Sequence, residues 1–163
     1  MTPLISLERL AKLCSIIGGL IMIALMLMTC YSVIGRNFFE KALIGDFELT
    51  AIGSGSAIAF FMPLCQLRRG NIIVDFFTTR CSALTRRRLD RVGDLLMTVI
   101  FALLAWRCGV AAISARENMG ASMLLGFPDW IVLTSMAIPL AITAVIASGQ
   151  ALGKLSADVP EAG

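Results

Sequence analysis

Histidine is absent from this chain of 163 residues, and charged residues make up only 15% of it. Without histidine the chain cannot hold haem between two imidazoles, and it lacks a ligand common to most zinc sites. The five cysteines contain no C-x-x-C pair, which argues against a thiol oxidase. These absences predict a protein that is not an enzyme and has no catalytic, cofactor or metal site.

Carboxylates are also missing from the interior of every long apolar run. A stand-alone proton-coupled exporter of the small multidrug type needs an acidic residue within its first membrane helix, and residues 13–35 contain none. Glu48 and Asp94 lie at the ends of runs, where water can solvate an ordinary charge. We therefore expect the chain not to transport a substrate by itself.

Apolar residues dominate what is present, at 58% of the chain with a mean hydropathy of +0.85. A bilayer core of ~30 Å needs roughly 20 apolar residues in a helix. Runs of about that length cover residues 13–35, 49–67, 93–114 and 130–149. The first run is too long for the roughly 7–15 apolar residues of a signal peptide, and continuous apolarity excludes barrel strands. The sequence predicts an all-α membrane protein, with residues 1–163 forming a single domain of four transmembrane helices.

Lysine and arginine are distributed unevenly between the two sides that four spans would create. The side of both termini and the second connection carries Arg9, Lys12, Arg68, Arg69, Arg80, Arg86, Arg87, Arg88, Arg91 and Lys154. The other side carries Arg36, Lys41 and Arg116 against Glu40, Asp46, Glu48, Glu117 and Asp129. Because cytoplasmic loops hold the excess of basic residues, both termini are predicted to be cytoplasmic.

The second connection begins with a charged turn and continues with an amphipathic pattern. Arg68 and Arg69 would stop the second helix at the headgroups, and Gly70 permits a change of direction. Apolar residues from Ile72 to Leu84 then recur at three- and four-residue spacings, which predicts a helix in the membrane plane over residues 71–92. Anionic lipid contacts are expected for Arg68, Arg69, Gly70, Asn71, Asp75, Arg86, Arg87 and Arg88. The alternative is a solvated loop with scattered apolar residues.

Two features inside the spans indicate contact with other helices. Ala51, Gly55 and Ala59 are spaced by four, so one face of the second span has little side-chain bulk and permits close helix approach. The pattern leaves open whether that face meets its own chain or a partner. Arg107 lies well inside the third span, so it either snorkels to the headgroups or faces a polar partner; a direct part in transport is the remaining alternative.

Several motifs, in this order along the chain, carry a family resemblance. They are Arg36, "GDFELT", "LRRGNIIVDFF", "LLGFPDW" and "MAIPLA". This set resembles the small four-helix membrane subunit, DctQ-like, of tripartite ATP-independent periplasmic (TRAP) transporters. The resemblance assigns family positions to Arg36, Glu48, Arg69, Gly70, Ile72, Val74, Asp75, Gly126, Pro128, Trp130 and Pro139. Asn71 departs from the histidine frequent at that position, so a pH-dependent role there is doubtful.

The resemblance implies a function and partners. It implies a scaffold subunit, in the bacterial inner membrane, of a secondary transporter that imports organic anions such as dicarboxylates, keto acids or sialic acids. A large DctM-like subunit would carry the pathway, a periplasmic DctP-like protein would deliver the substrate, and an ion gradient would drive uptake. Contact with these partners is expected at Arg36, Glu48, Ala51, Gly55, Ala59, Arg107 and Glu117. No nucleic acid is expected among the partners.

Two other functions remain open from the residues alone. The chain could be an accessory or assembly subunit of another inner-membrane complex, with the same physics and different partners. It could also be an independent small transporter, although the missing buried acid disfavours this.

Overall fold

The computed structural model describes residues 2–39, 45–68, 83–122 and 125–152, and nearly all of them are helical. The helices are α1 (Thr2–Phe39), α2 (Asp46–Leu67), α3 (Ala83–Glu117) and α4 (Asp129–Ala151). Each contains a stretch long and apolar enough to cross a membrane, namely Ser6–Phe38, Asp46–Leu67, Arg91–Glu117 and Asp129–Ala151. The predicted all-α fold with four such helices is confirmed.

The helices α1 and α3 are longer than the predicted spans. Helix α1 begins at Thr2 rather than near residue 13, and α3 begins at Ala83 rather than near residue 93. Residues 83–92, expected in a separate in-plane segment, instead form the first turns of α3. Leucine and arginine in this stretch are good helix formers, and a single Gly93 costs only about 1 kcal/mol relative to alanine. The remainder of the in-plane prediction, residues 71–82, lies outside the described residues.

The four helices pack in a spatial order that differs from their order in the chain. Helix α1 packs on α2, α2 packs on α4, and α4 packs on α3, while α1 touches α4 only slightly. The two edge helices are therefore α1 and α3. Of the residues in the most apolar stretch of each helix, 28% are buried in α4 but only 6% in α3. Lipid or partner subunits must cover the remaining apolar surface.

Small side chains fill the contacts around α2. Ala57 is fully buried, and Gly18 of α1 lies so close to α2 that a Cβ there would stand 3.2 Å from the Ala57 carbonyl oxygen. On the other side of α2, a Cβ at Gly55 would stand 2.8 Å from Cε of Met136 in α4. Without a hydrophobic driving force between helices in lipid, such close approach supplies the van der Waals contact that holds them together.

Candidate partner-binding surfaces

The end of the molecule where α1 stops and α2 begins, here the Asp46 end, is organised by one carboxylate. The buried Ser32 hydroxyl donates a hydrogen bond of 2.5 Å to Oδ2 of Asp46, and Nη2 of Arg36 lies 3.6 Å from the same oxygen. The other oxygen, Oδ1, accepts the backbone N–H of Phe47 at 2.7 Å. A negative charge is also favourable at the first turn of a helix. Asp46 thus joins the two helix ends and holds the exposed Arg36 side chain nearby.

The connection after α3 reaches the same end and touches the turn before α2. Its backbone is held by hydrogen bonds from Ser122 N to Phe127 O at 2.9 Å and from Asp129 N to Gly120 O at 3.1 Å. A Cβ at Gly45 would stand 2.7 Å from Cγ of Leu125, and Gly45 has a φ of +86°. Both the space and the backbone conformation therefore require glycine at position 45.

Charged and apolar side chains are exposed together at the Asp46 end. Arg116 lies over the Trp130 ring, with 5.7 Å between the guanidinium carbon and the ring centroid. Glu117 is exposed beside it, and Phe47 and Met119 have 83% and 90% of their surface exposed. Large apolar side chains rimmed by charges are typical of a protein-binding surface.

At the opposite end, here the Gln66 end, two buried glutamines join α2 to α4. Nε2 of Gln66 donates to Oε1 of Gln150 at 2.9 Å, and Nε2 of Gln150 donates to the Gln66 carbonyl oxygen at 3.0 Å. Gln150 also lies 3.4 Å from the Leu67 carbonyl oxygen, so it satisfies acceptors that the last turn of α2 leaves open. The exposed Arg68 follows directly, at the C-cap of α2.

The comparison with protein families settles the class of the chain. The family model described as "Tripartite ATP-independent periplasmic transporters, DctQ component" matches residues 25–157, which is most of the sequence. The chain belongs to the DctQ family. No curated protein and no solved structure matches it. The protein is therefore a multi-pass membrane component of a TRAP transporter, and the family is one of transport components.

Three of the predicted contact residues of this DctQ chain share the Asp46 end. Arg36 lies in the last turn of α1, Glu48 in the first turn of α2, and Glu117 at the last residue of α3. Arg36 and Glu117 are exposed, whereas Glu48 is partly buried. The structure thus brings these residues to one end of the molecule, and their contact with a partner stays a prediction.

The small-residue face of the second span is already packed within the DctQ chain over most of its length. Gly55 faces Met136, and Ala59 is buried, whereas Ala51 is exposed. Of the two readings that the sequence left open, contact inside the chain therefore applies to Gly55 and Ala59. Contact of Ala51 with a second subunit stays a prediction.

The residues predicted to contact lipid lie at helix ends or outside the described residues. Arg68 is exposed at the end of α2, and Arg86, Arg87 and Arg88 lie in the first turns of α3. Arg69, Gly70, Asn71 and Asp75 lie outside the described residues. Lipid contact for this set stays a prediction.

Sequence reasoning missed two polar contacts that join described helices of this DctQ chain, Ser32 with Asp46 and Gln66 with Gln150. Ser32 and Asp46 are separated by a connection, and nothing in their spacing indicates that their side chains meet. The contact between Gln66 and Gln150 could have been predicted, because each glutamine lies near the end of an apolar run and a buried amide there needs a hydrogen-bond partner. Two such amides at the same predicted end could have been paired.

Replacing Asp46 with alanine is expected to loosen the ends of α1 and α2. The substitution removes the acceptor of the buried Ser32 hydroxyl and the ion pair with Arg36, so we expect the free energy of unfolding to fall. Asp129→Ala is the matched control, because Asp129 is also the first residue of its helix. Thermal unfolding in detergent measures both, and an equal loss in the two variants would contradict the role given to Ser32.

Proposed function

We propose that this chain is the small scaffold subunit of a TRAP transporter in the bacterial inner membrane. It would assemble with a large DctM-like membrane subunit and receive a periplasmic DctP-like substrate-binding protein. The observation that carries the proposal is the spatial order α1, α2, α4, α3, which leaves α1 and α3 as weakly buried edge helices. Such an arrangement gives the chain a wide contact surface in the bilayer, as an anchoring subunit requires.

The transported substrate and the energy source follow from the family rather than from the residues of this chain. We propose uptake of organic anions such as dicarboxylates, keto acids or sialic acids, driven by an ion gradient. The DctQ family membership supports this proposal. The chain's own interior supports a structural role, because none of the largest fully buried side chains in its described part ionises at neutral pH; they are Ile146, Thr143, Pro63, Pro139 and Ser32.

We further propose that the Asp46 end faces the periplasm and helps to dock the substrate-binding protein. The excess of lysine and arginine on the termini and the second connection supports this orientation. The contact between Gly45 and Leu125 supports a single docking surface, because it joins the two connections at that end. Phe47, Met119 and Glu117 supply exposed apolar area and charge on it.

Reversing the charge of Glu117 is expected to weaken uptake without dissociating the membrane complex. Charges at the rim of an interface mainly set the rate of association, so Glu117→Lys should lower uptake about 3- to 10-fold at limiting binding protein. Glu48→Lys should act in the same direction. The measurement is uptake by proteoliposomes that contain both membrane subunits, with added binding protein.

Glu8→Lys is the control, because Glu8 is an exposed carboxylate at the opposite end of the molecule, paired there with Lys12. Uptake with the Glu8 variant should stay within about twofold of wild type, because an exposed ion pair such as Lys12–Glu8 contributes little energy. Wild-type uptake in both the Glu48 and the Glu117 variants would remove the docking proposal.

Affinity purification from native membranes tests the proposed function itself. The tagged chain should retain a much larger multi-helix membrane protein, and the two together with a binding protein should transport an organic anion into liposomes. A partner from another type of membrane complex would favour an accessory subunit. Solute transport by the chain alone would show an independent transporter.

A further inference from the structure

Arg107 places a charged side chain on the outward face of an edge helix. It is exposed, as are Leu103 and Val110, which lie within about 60° of it around the helix axis. Ala112, which is buried, lies about 140° away. Arg107 therefore points away from the rest of the chain, on a surface here called the Arg107 face and defined by Leu103, Arg107 and Val110.

The position of Arg107 along α3 places it within the apolar layer. The membrane-spanning stretch is Arg91–Glu117, so Arg107 is 16 residues from one end and 10 from the other. At ~1.5 Å per residue these separations are about 24 Å and about 15 Å. The nearer headgroup layer is therefore the one at the C-terminal end of α3.

The direction of the side chain works against contact with that nearer layer. In a helix the Cα–Cβ bond tilts toward the N-terminus, so the side chain of Arg107 starts out toward the farther membrane surface. To reach the nearer headgroups, the Arg107 side chain would have to bend back toward the C-terminal end of α3. This argument holds for either orientation of the protein in the membrane.

The described helices offer no anion at this depth. Among the residues that the structure describes, Arg107 forms no ion pair, and the pairs Lys12–Glu8 and Arg36–Asp46 lie near helix ends. Every Asp and Glu in the described helices lies near a helix end or within about three residues of the end of an apolar stretch. A second copy of the chain would therefore bring no carboxylate to Arg107, and a symmetric contact would place two arginines together.

We infer that the Arg107 face docks on the large membrane subunit, with Arg107 paired to a carboxylate of that subunit within the membrane. The inference rests on the proposed function and names the surface through which this chain is anchored. A membrane subunit fits because a soluble binding protein cannot reach this depth. A charged residue in a span otherwise remains costly, and such residues pair with one another or face protein.

The test is co-purification of the large subunit with the tagged chain carrying Arg107→Glu or Arg107→Leu. Arg107→Glu opposes the partner carboxylate with a like charge, and recovery of the large subunit should fall at least about tenfold. Arg107→Leu inserts readily into the membrane and leaves the partner carboxylate unpaired, so its recovery should fall as well. Recovery of the large subunit is divided by the amount of tagged chain in the membrane. The thermal midpoint of each variant is measured as well, to show that the variant is folded.

Arg91→Glu is the matched control, since Arg91 is an exposed arginine of the same helix at the end of its apolar stretch. It should keep wild-type recovery. Replacing the partner carboxylate with arginine should restore the assembly of Arg107→Glu, which would identify the pair directly.

Several outcomes would overturn the inference. Wild-type recovery in a folded Arg107→Glu or Arg107→Leu variant would do so. Retained assembly with loss of a co-purifying anionic lipid, seen by native mass spectrometry, would reassign Arg107 to a lipid phosphate. Failure of the unmodified chain to retain any large subunit would instead refute the proposed function, so the two failures are distinguishable.

Discussion

Gly18→Val should separate α1 from α2 and lower the free energy of unfolding by about 2–3 kcal/mol. A Cβ at this position would stand 3.1 Å from Cβ of Phe60 and 3.2 Å from the carbonyl oxygen of Ala57. Neither atom is the end of a flexible side chain, so the helices must move apart to admit it. Valine adds two methyl groups and has one strongly preferred rotamer in a helix, so it cannot turn away from the contact.

Gly19→Val is the matched control, because a Cβ at Gly19 would have no neighbour within 4 Å. The two variants carry the same change in helix propensity at adjacent positions of α1, so their difference isolates the contact with α2. Unfolding in mild detergent, followed by fluorescence or by resistance to denaturing detergent, measures the difference. Equal stability of the two variants would show that α1 and α2 do not approach closely at Gly18.

A smaller effect is expected at Gly53, although a Cβ there would stand only 2.8 Å from Cδ2 of Leu25. That atom ends a flexible side chain, which can move to another rotamer. Alanine at position 53 should therefore cost less than alanine at position 18, and the same unfolding measurement checks the order.

Gln150→Leu should lower the free energy of unfolding by about 2–3 kcal/mol, because it removes donors and an acceptor at a buried site. The Gln66 amide loses its acceptor on Gln150, and the Gln66 carbonyl oxygen loses a donor at 3.0 Å. Leucine matches glutamine roughly in size, so the loss reports hydrogen bonding more than volume. Thr134→Leu is the control, because Thr134 is an exposed polar residue of the same helix that bonds only within its own turn.

The double variant Gln66→Leu, Gln150→Leu separates pairing from packing. Replacing both members of a buried hydrogen-bonded pair with apolar residues can be nearly neutral. We therefore expect the double variant to be more stable than the sum of the two single losses predicts, by about 1 kcal/mol or more. Additive losses would show that the two amides act independently.

The number of helices could be predicted from the sequence because a membrane imposes a length on each apolar run. Residues 49–67 and 130–149 fall within α2 and α4, whose bounds differ from the prediction by only a few residues. The first residues of α1 and α3 were harder to predict, since a helix can extend beyond the apolar layer wherever good helix formers flank the apolar run. Hydropathy marks the layer and leaves the end of the helix undetermined.

The spatial order of the helices could not be predicted in the same way. In lipid every outward face is apolar, so hydropathy does not distinguish a packed face from a lipid-facing one. Small residues located the packing surface of α2, and the structure shows Gly55 against Met136. The spacing of small residues did not indicate which helix would pack against that surface of α2. Likewise Arg107 was recognisable as unusual, but its placement on an outward face of α3 could not be predicted.

The central pair α2 and α4 is tied at both of its ends, and this bears on how the subunit responds to motion next to it. At one end the glutamine amides fix the last turns together, and at the other Leu125, just before α4, abuts the turn before α2. A displacement of the connection after α3 would therefore move the first turn of α2 as well as that of α4. A partner that binds this connection would therefore act on both central helices at once.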